Sequence, residues 1–207
     1  MNINTTTGEL MKIFRVFNTE LFNGELEEPI IFVQGSAKKS GYGWFTPWMS
    51  WQNADGSIQK PEIAIVAESL NREPLDIAGT MLHEMIHLYN FTEGIKDGSD
   101  DIHNKKYKLS AEDHGLEVSK NGKFGWSITN FNEEGKRIAE SIGINPDAFS
   151  MYRISEEQPE VEKKTTYKYT CEGCGSKFTL KLQINAECVE CGNTFDVEEK
   201  EPKEKEE

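Results

Sequence analysis

The sequence predicts an α+β fold, with a helix–sheet domain over 1–154 and a small four-cysteine ribbon over 165–197. Three observations carry that expectation. Apolar residues recur at helical spacing in separate segments, and short β-rich runs bounded by Gly, Pro and Asn lie between them. All four cysteines fall near the C-terminal end, as Cys171-x-x-Cys174 and Cys188-x-x-Cys191.

Taken in order, 8–22 has a helical period, with Leu10, Ile13, Phe14, Phe17 and Leu21 on one face and Asn23-Gly24 as its stop. The runs 29–34, 40–45 and 61–67 read as strands; the second leads into an aromatic segment, and Trp44, Trp48 and Trp51 are expected as core or groove wall. Helical spacing returns over 74–89 with a wide apolar face. A Gly- and Asp-rich loop over 91–101 follows, then a helix with Asp100 or Asp101 as N-cap and an end near Gly115. A short strand at 124–128 and a helix at 132–142 complete the domain. Residues 155–164 lack an apolar period and read as a linker, and 198–207 as a disordered acidic tail.

The chain has 207 residues and a formal net charge of −13, with 36% hydrophobic residues. That balance excludes a basic surface spread over the whole protein for coating nucleic acid. A local patch is not excluded: 163–185 holds Lys163, Lys164, Lys168, Lys177 and Lys181 against Glu172 alone. No run approaches the ~18–20 apolar residues of a membrane span. The opening residues lack the basic-then-apolar build of a secretion signal, so a cytoplasmic protein without a membrane partner is expected.

The two cysteine pairs are too closely grouped for the disulfide framework of a secreted chain. They read as a structural zinc site in which Cys171, Cys174, Cys188 and Cys191 supply four thiolates and leave no open position for chemistry. A redox-active pair would need a thioredoxin-like βαβ pattern, which the sequence lacks.

His83-Glu84-Met85-Ile86-His87 is an HExxH motif within the 74–89 helix. Residues four apart share a helix face, so both imidazoles can ligate one metal while Glu84 reaches an adjacent water as general base. A catalytic zinc needs a third protein ligand and an open fourth position. His103, His114 and a carboxylate such as Glu112 are the candidates. His103 is preferred, because the loop gives it a short return path; His114 lies about 16 Å further along a continuous helix and suits a C-terminal cap.

The motif, a histidine sixteen residues later in His103-Asn104-Lys105-Lys106-Tyr107, and the four-cysteine ribbon together resemble the SprT-like family, which includes the Spartan-type proteases. Phe17-Asn18-Thr19-Glu20-Leu21-Phe22-Asn23-Gly24-Glu25-Leu26 is similar to the family's opening segment, and Gly41-Tyr42 through Trp44 to its glycine-aromatic strand. The resemblance covers most of 9–115 and the ribbon. It implies a compact zincin-like domain, a catalytic zinc on His83, His87 and His103, and Glu84 as base. It further implies a metallopeptidase that cleaves DNA-associated proteins. Two zinc ions per chain are then expected, one catalytic and one structural.

Two partners follow as expectations: a protein substrate laid along the Gly41–Phe45 strand, and single-stranded DNA on the ribbon. For the DNA, Tyr167, Lys168, Tyr169, Lys177, Phe178 and Lys181 mix aromatic and cationic groups as base-stacking surfaces do. The competing reading makes those aromatics the ribbon's small core and the lysines its solvated face. The alternative function is a non-catalytic zinc-binding module, associated with DNA or transcription, on the same scaffold.

Overall fold

Mixed helices and small sheets, with a separate four-cysteine unit, are what the computed structural model contains. It describes residues 3–35, 41–99, 102–154 and 166–200. The chain divides into two units, Met1–Ser155 and Glu156–Glu207, each taken by itself below. The 155–164 linker expectation lies outside the described residues, as do Lys163 and Lys164.

The first helix, α1 (Ile3–Leu21), starts before its apolar period does. Thr6 is buried and its hydroxyl donates to the Ala148 carbonyl at 2.7 Å, so a tertiary bond holds the polar first turns in helical form. Strands β1 (Ile30–Gln34), β2 (Gly43–Gln52) and β3 (Gln59–Val66) form a sheet in the order β1-β3-β2. The central β3 runs parallel to β1 and antiparallel to β2. Its Ile63, Ala64, Ile65 and Val66 are buried, the near-continuous apolar run of a strand covered on both faces.

Helix α2 (Pro74–Thr92) begins with proline at its first position, where no amide donor is needed. Ile77, Ala78, Met81, Leu82, Met85 and Ile86 on α2 share one core with Leu10, Ile13, Phe14 and Phe17 of α1 and Ile63 and Ile65 of β3. A second sheet follows from β4 (Gly98–Ser99), β5 (Ile102–His103), β6 (Leu116–Asn121) and β7 (Gly125–Phe131), in the order β4-β5-β7-β6. Between them, α3 (Lys105–Asp113) is capped by Asn104, whose side-chain oxygen accepts from the Lys106 and Tyr107 amides. This corrects the Asp100/Asp101 cap, because the chain is still extended at 102–103. Helix α4 (Glu133–Ser141) is capped by Asn132.

Two further differences have local causes. Strand β6 escapes sequence reading because only Leu116 and Val118 face inward among polar neighbours. Trp48 and Trp51 are exposed, not core: Trp48 lies in the stretch between Thr46 and Trp51 where β2 shifts register, and Trp51 pairs with Lys60 at the far end of the sheet.

In the second unit, β8 (Thr166–Thr170), β9 (Lys177–Leu180) and β10 (Asp196–Lys200) pair in the order β10-β8-β9. Residues 198–200, expected as tail, extend β10 because Glu198 pairs opposite Lys168, with the charged groups 3.6 Å apart.

Phe17 is fully buried and its ring lies 6.0 Å from that of Phe131, joining α1 to the second sheet. Phe17→Ala should cost about 3–5 kcal/mol through lost burial and a cavity, read as a lower urea midpoint at unchanged m-value.

Candidate metal centres

On α2, His83 and His87 stand one turn apart and direct Nε2 outward to the same point. His103 arrives from β5: its Nε2 lies 3.2 Å from that of His83 and 2.9 Å from that of His87. Three imidazole nitrogens at these separations fit one metal ion. Tetrahedral zinc with nitrogen ligands at 2.0–2.1 Å needs them about 3.3 Å apart. The three donors, two from a helix and one from a strand, form a group that could hold a metal ion.

The strand bearing His103 is held by backbone contacts. Its amide donates to the Phe124 carbonyl at 3.1 Å, and it bridges to Gly125 in β7. A side chain at Gly125 would meet the His103 carbonyl at 2.2 Å, and the residue has φ of +71°, so glycine is required on both counts.

Each imidazole of α2 is oriented from behind. His87 Nδ1 lies 2.7 Å from Asp97 Oδ2, which also accepts from Asn90 at 3.1 Å. Asn90 is fully buried and accepts in turn from Ser110 at 2.6 Å. With Nδ1 donating to Asp97, His87 presents Nε2 as the atom a metal would bind. His83 Nδ1 lies 2.7 Å from the Tyr107 hydroxyl and 3.3 Å from that of Thr129.

Ionisation follows packing. Burial, then the two neighbouring histidines, pushes His83 well below its usual value, so its ring is neutral at pH 7 and available as a ligand. Burial pushes the Tyr107 phenol well up, with Glu84 and Asp97 adding to it. At Asp97 burial opposes ionisation, but hydrogen bonds from His87 and Asn90 outweigh it and the carboxyl stays low.

Glu84 lies beneath β2, beside Gly43, where it is 5% exposed. Burial raises its carboxyl to about 7 against the opposing effects of His87 and a backbone hydrogen bond with Phe45. Gly43 makes this approach possible: a Cβ there would lie 2.9 Å from the Ala64 carbonyl and 3.3 Å from Glu84 Cγ.

The other candidate ligands lie elsewhere. His114 is the C-cap residue of α3, with Nδ1 donating to the Ser110 carbonyl at 2.7 Å and its ring stacked on Phe22. Glu112 pairs with Lys108 on the surface of α3. Sequence reading missed Asp97, Asn90, Tyr107, Ser110 and Thr129. A signal existed for Asn90, a polar residue seven beyond His83 on the same face of an apolar helix.

In the second unit, two matching turns bring the four sulfurs together. Gly175 N–H donates to the Cys171 carbonyl and Gly192 N–H to that of Cys188, both at 2.8 Å. Cys171 and Cys191 sulfurs lie 3.4 Å apart, and Cys188 lies 3.5 Å from both Cys174 and Cys191. Zinc–thiolate tetrahedra need about 3.8 Å, so modest expansion admits an ion, and the four cysteines could bind zinc. The thiols titrate together: hydrogen bonding with Ser176 pulls Cys174 down, favouring a thiolate there, while its sulfur neighbours push Cys191 up.

Of the residues expected to meet DNA, Tyr169 is fully buried and stacks on Phe178 at 4.6 Å, with Phe195 edge-on to Phe178 at 4.9 Å. Tyr169 and Phe178 are therefore the ribbon's core. Tyr167 and Lys168 are partly exposed, Lys177 and Lys181 exposed, and Lys168 already faces Glu198. Among the described residues no helix is long and apolar enough to cross a membrane.

No family model, curated protein or solved structure matches this chain.

Cys174→Ala should lower the zinc bound by one equivalent per chain and disorder the ribbon amides. Mass-spectrometric metal counting and amide NMR check both.

Proposed function

We propose that the chain is a zinc metallopeptidase of the SprT-like type, acting on DNA-associated or unfolded protein. The observation that carries this reading is the meeting of three Nε2 donors, His83, His87 and His103, one helical residue from a buried carboxylate under an edge strand. In this reading the zincin-like arrangement is the α2 helix against the β1-β3-β2 sheet.

Zinc held by those three histidines would supply Lewis acidity, polarising a peptide carbonyl and making a water acidic near neutrality. The remaining work belongs to the chain. Asp97 and Tyr107 keep the imidazoles aimed by bonding their far nitrogens. The backbone bond with Phe45 and the packing against Gly43 hold the Glu84 carboxylate. With a carboxyl near 7, Glu84 can accept a proton from the attacking water and return it to the leaving amine. The outer edge of β2 has no strand partner among the described residues, so an extended substrate can add to it.

Four measurements bear on this reading. Glu84→Gln should slow cleavage of a protein–DNA conjugate by about 10²–10⁴-fold with zinc content unchanged; equal rates would overturn the mechanism. Glu84 acts as the carboxylate, so activity should fall as pH drops through its pKa. Burial raises that value to about 7 and a bound cation lowers it, placing the acid limb of kcat/KM at or below pH 7. The limb should vanish in the residual activity of Glu84→Gln. Metal counting should give two zincs per chain, falling to one in the double variant His83→Ala/His87→Ala. Binding of single-stranded DNA without turnover of any unfolded substrate would favour the non-catalytic module.

A further inference from the structure

Strand β2 holds to its partner in two blocks. Gly43 to Thr46 pair with Ile65 to Glu62, and Trp51 and Gln52 with Lys60 and Gln59. Between them β2 spends four residues, Pro47 to Ser50, where β3 spends one, so the segment bulges out of the sheet. Pro47 lacks an amide donor and ends the hydrogen-bonding edge there.

The bulge is pinned at its base. Glu62 accepts from the Thr46 hydroxyl at 2.8 Å and from the Trp51 indole at 2.6 Å, clamping the residues on either side with one carboxylate. Trp51 also meets the Phe32 ring edge-on. What this clamp presents is apolar: Trp48 is 61% and Met49 46% exposed. Single exposed apolar residues are ordinary, whereas contiguous ones point to a contact surface, and Trp48, Met49 and Trp51, the last 48% exposed, follow one another along this segment.

Its occupant follows from continuity. The edge that ends at Pro47 begins at Gly43, against Glu84, and Phe45 is hydrogen-bonded to that carboxylate. A chain extended along this edge and reacting beside Glu84 must run on past the bulge. At ~3.3 Å per residue, a side chain roughly two to four residues from the cleaved bond reaches Trp48. Nucleic acid is a poor fit: the carboxylate of Glu62 lies at the base of the bulge, and the lysine of the facing strand, Lys60, is already paired with Glu27.

We propose that Trp48 and Met49 form an anchor for a large apolar side chain of the substrate polypeptide, on one side of the bond cut. This rests on the peptidase reading and gives it a specificity. The enzyme selects segments that carry a buried-type residue at that offset, as unfolded proteins do and soluble polar tails do not.

The test uses the zinc-loaded full chain and internally quenched peptides with Phe, Leu, Ala or Glu at each of the four positions on either side of the cut. Cleavage should favour Phe or Leu over Ala at one offset on one side, by about tenfold or more in kcat/KM. Trp48→Ala should collapse that ratio towards one. Anisotropy of the same peptides, uncleaved, on Glu84→Gln should show the same preference in Kd and the same loss with Trp48→Ala. A wild-type ratio near one, or a ratio that survives Trp48→Ala, overturns the anchor. If the wild type cleaves no peptide while Glu84→Gln binds them with a Trp48-dependent preference, the anchor stands and the peptidase reading fails.

Discussion

Imidazole nitrogens gathered at one point repel one another unless a cation or a shared proton lies between them, and much of the first unit is arranged to gather three of them. Two of the three nitrogens come from α2 at no special cost, because residues four apart on a helix already share a face. The third is expensive. His103 has to be returned to α2 by a loop, and the structure meets that need with a strand of two residues fixed on both sides by backbone. The Gly125 contact is part of that fixation: only a residue without a side chain lets β7 come close enough to set the position of His103.

Behind the nitrogens runs a line of polar groups, buried Ser110 and Asn90 and then half-buried Asp97 and His87, which joins α3, α2 and the loop after it. Buried polar groups are tolerated when each finds a partner, and this line satisfies its members while setting one tautomer. Tyr107 extends the same logic to His83 from the start of α3. The arrangement thus fixes which nitrogen of each α2 imidazole faces the shared point, and does so with residues from three elements.

The HExxH pair and the cysteine pairs were readable from sequence because their geometry is local: four residues make a helical turn, and x-x between cysteines makes a tight one. His103 was readable only through chain reach. The partners Asp97, Tyr107 and Thr129 were not, since nothing local tells which oxygen faces which imidazole. The ribbon shows the opposite error. Glu198-Glu199-Lys200 has a tail's composition, yet pairing opposite Lys168, Tyr167 and Thr166 makes it the end of a strand. That same pairing places acid beside a lysine counted toward a cationic patch, and burial of Tyr169 removes an aromatic from it. Charge read along a chain and charge read across a sheet are different quantities.

Strand β2 unites two demands that local sequence rules treat as faults. Glycine weakens a strand and proline interrupts one. Here Gly43 lets the strand descend onto Glu84, and Pro47 stops the ladder four residues on, before the two exposed apolar side chains. A regular strand in this place would bury its aromatic residues or space them evenly along an open edge, and an open apolar edge invites aggregation. The interrupted strand leaves an exposed edge of only a few residues, starting beside the buried carboxylate and ending at a clamped aromatic bulge. Length, start and end of that edge are each set by a residue type that a purely structural strand would avoid. This is the physical ground for reading β2 as a surface shaped around something that lies along it.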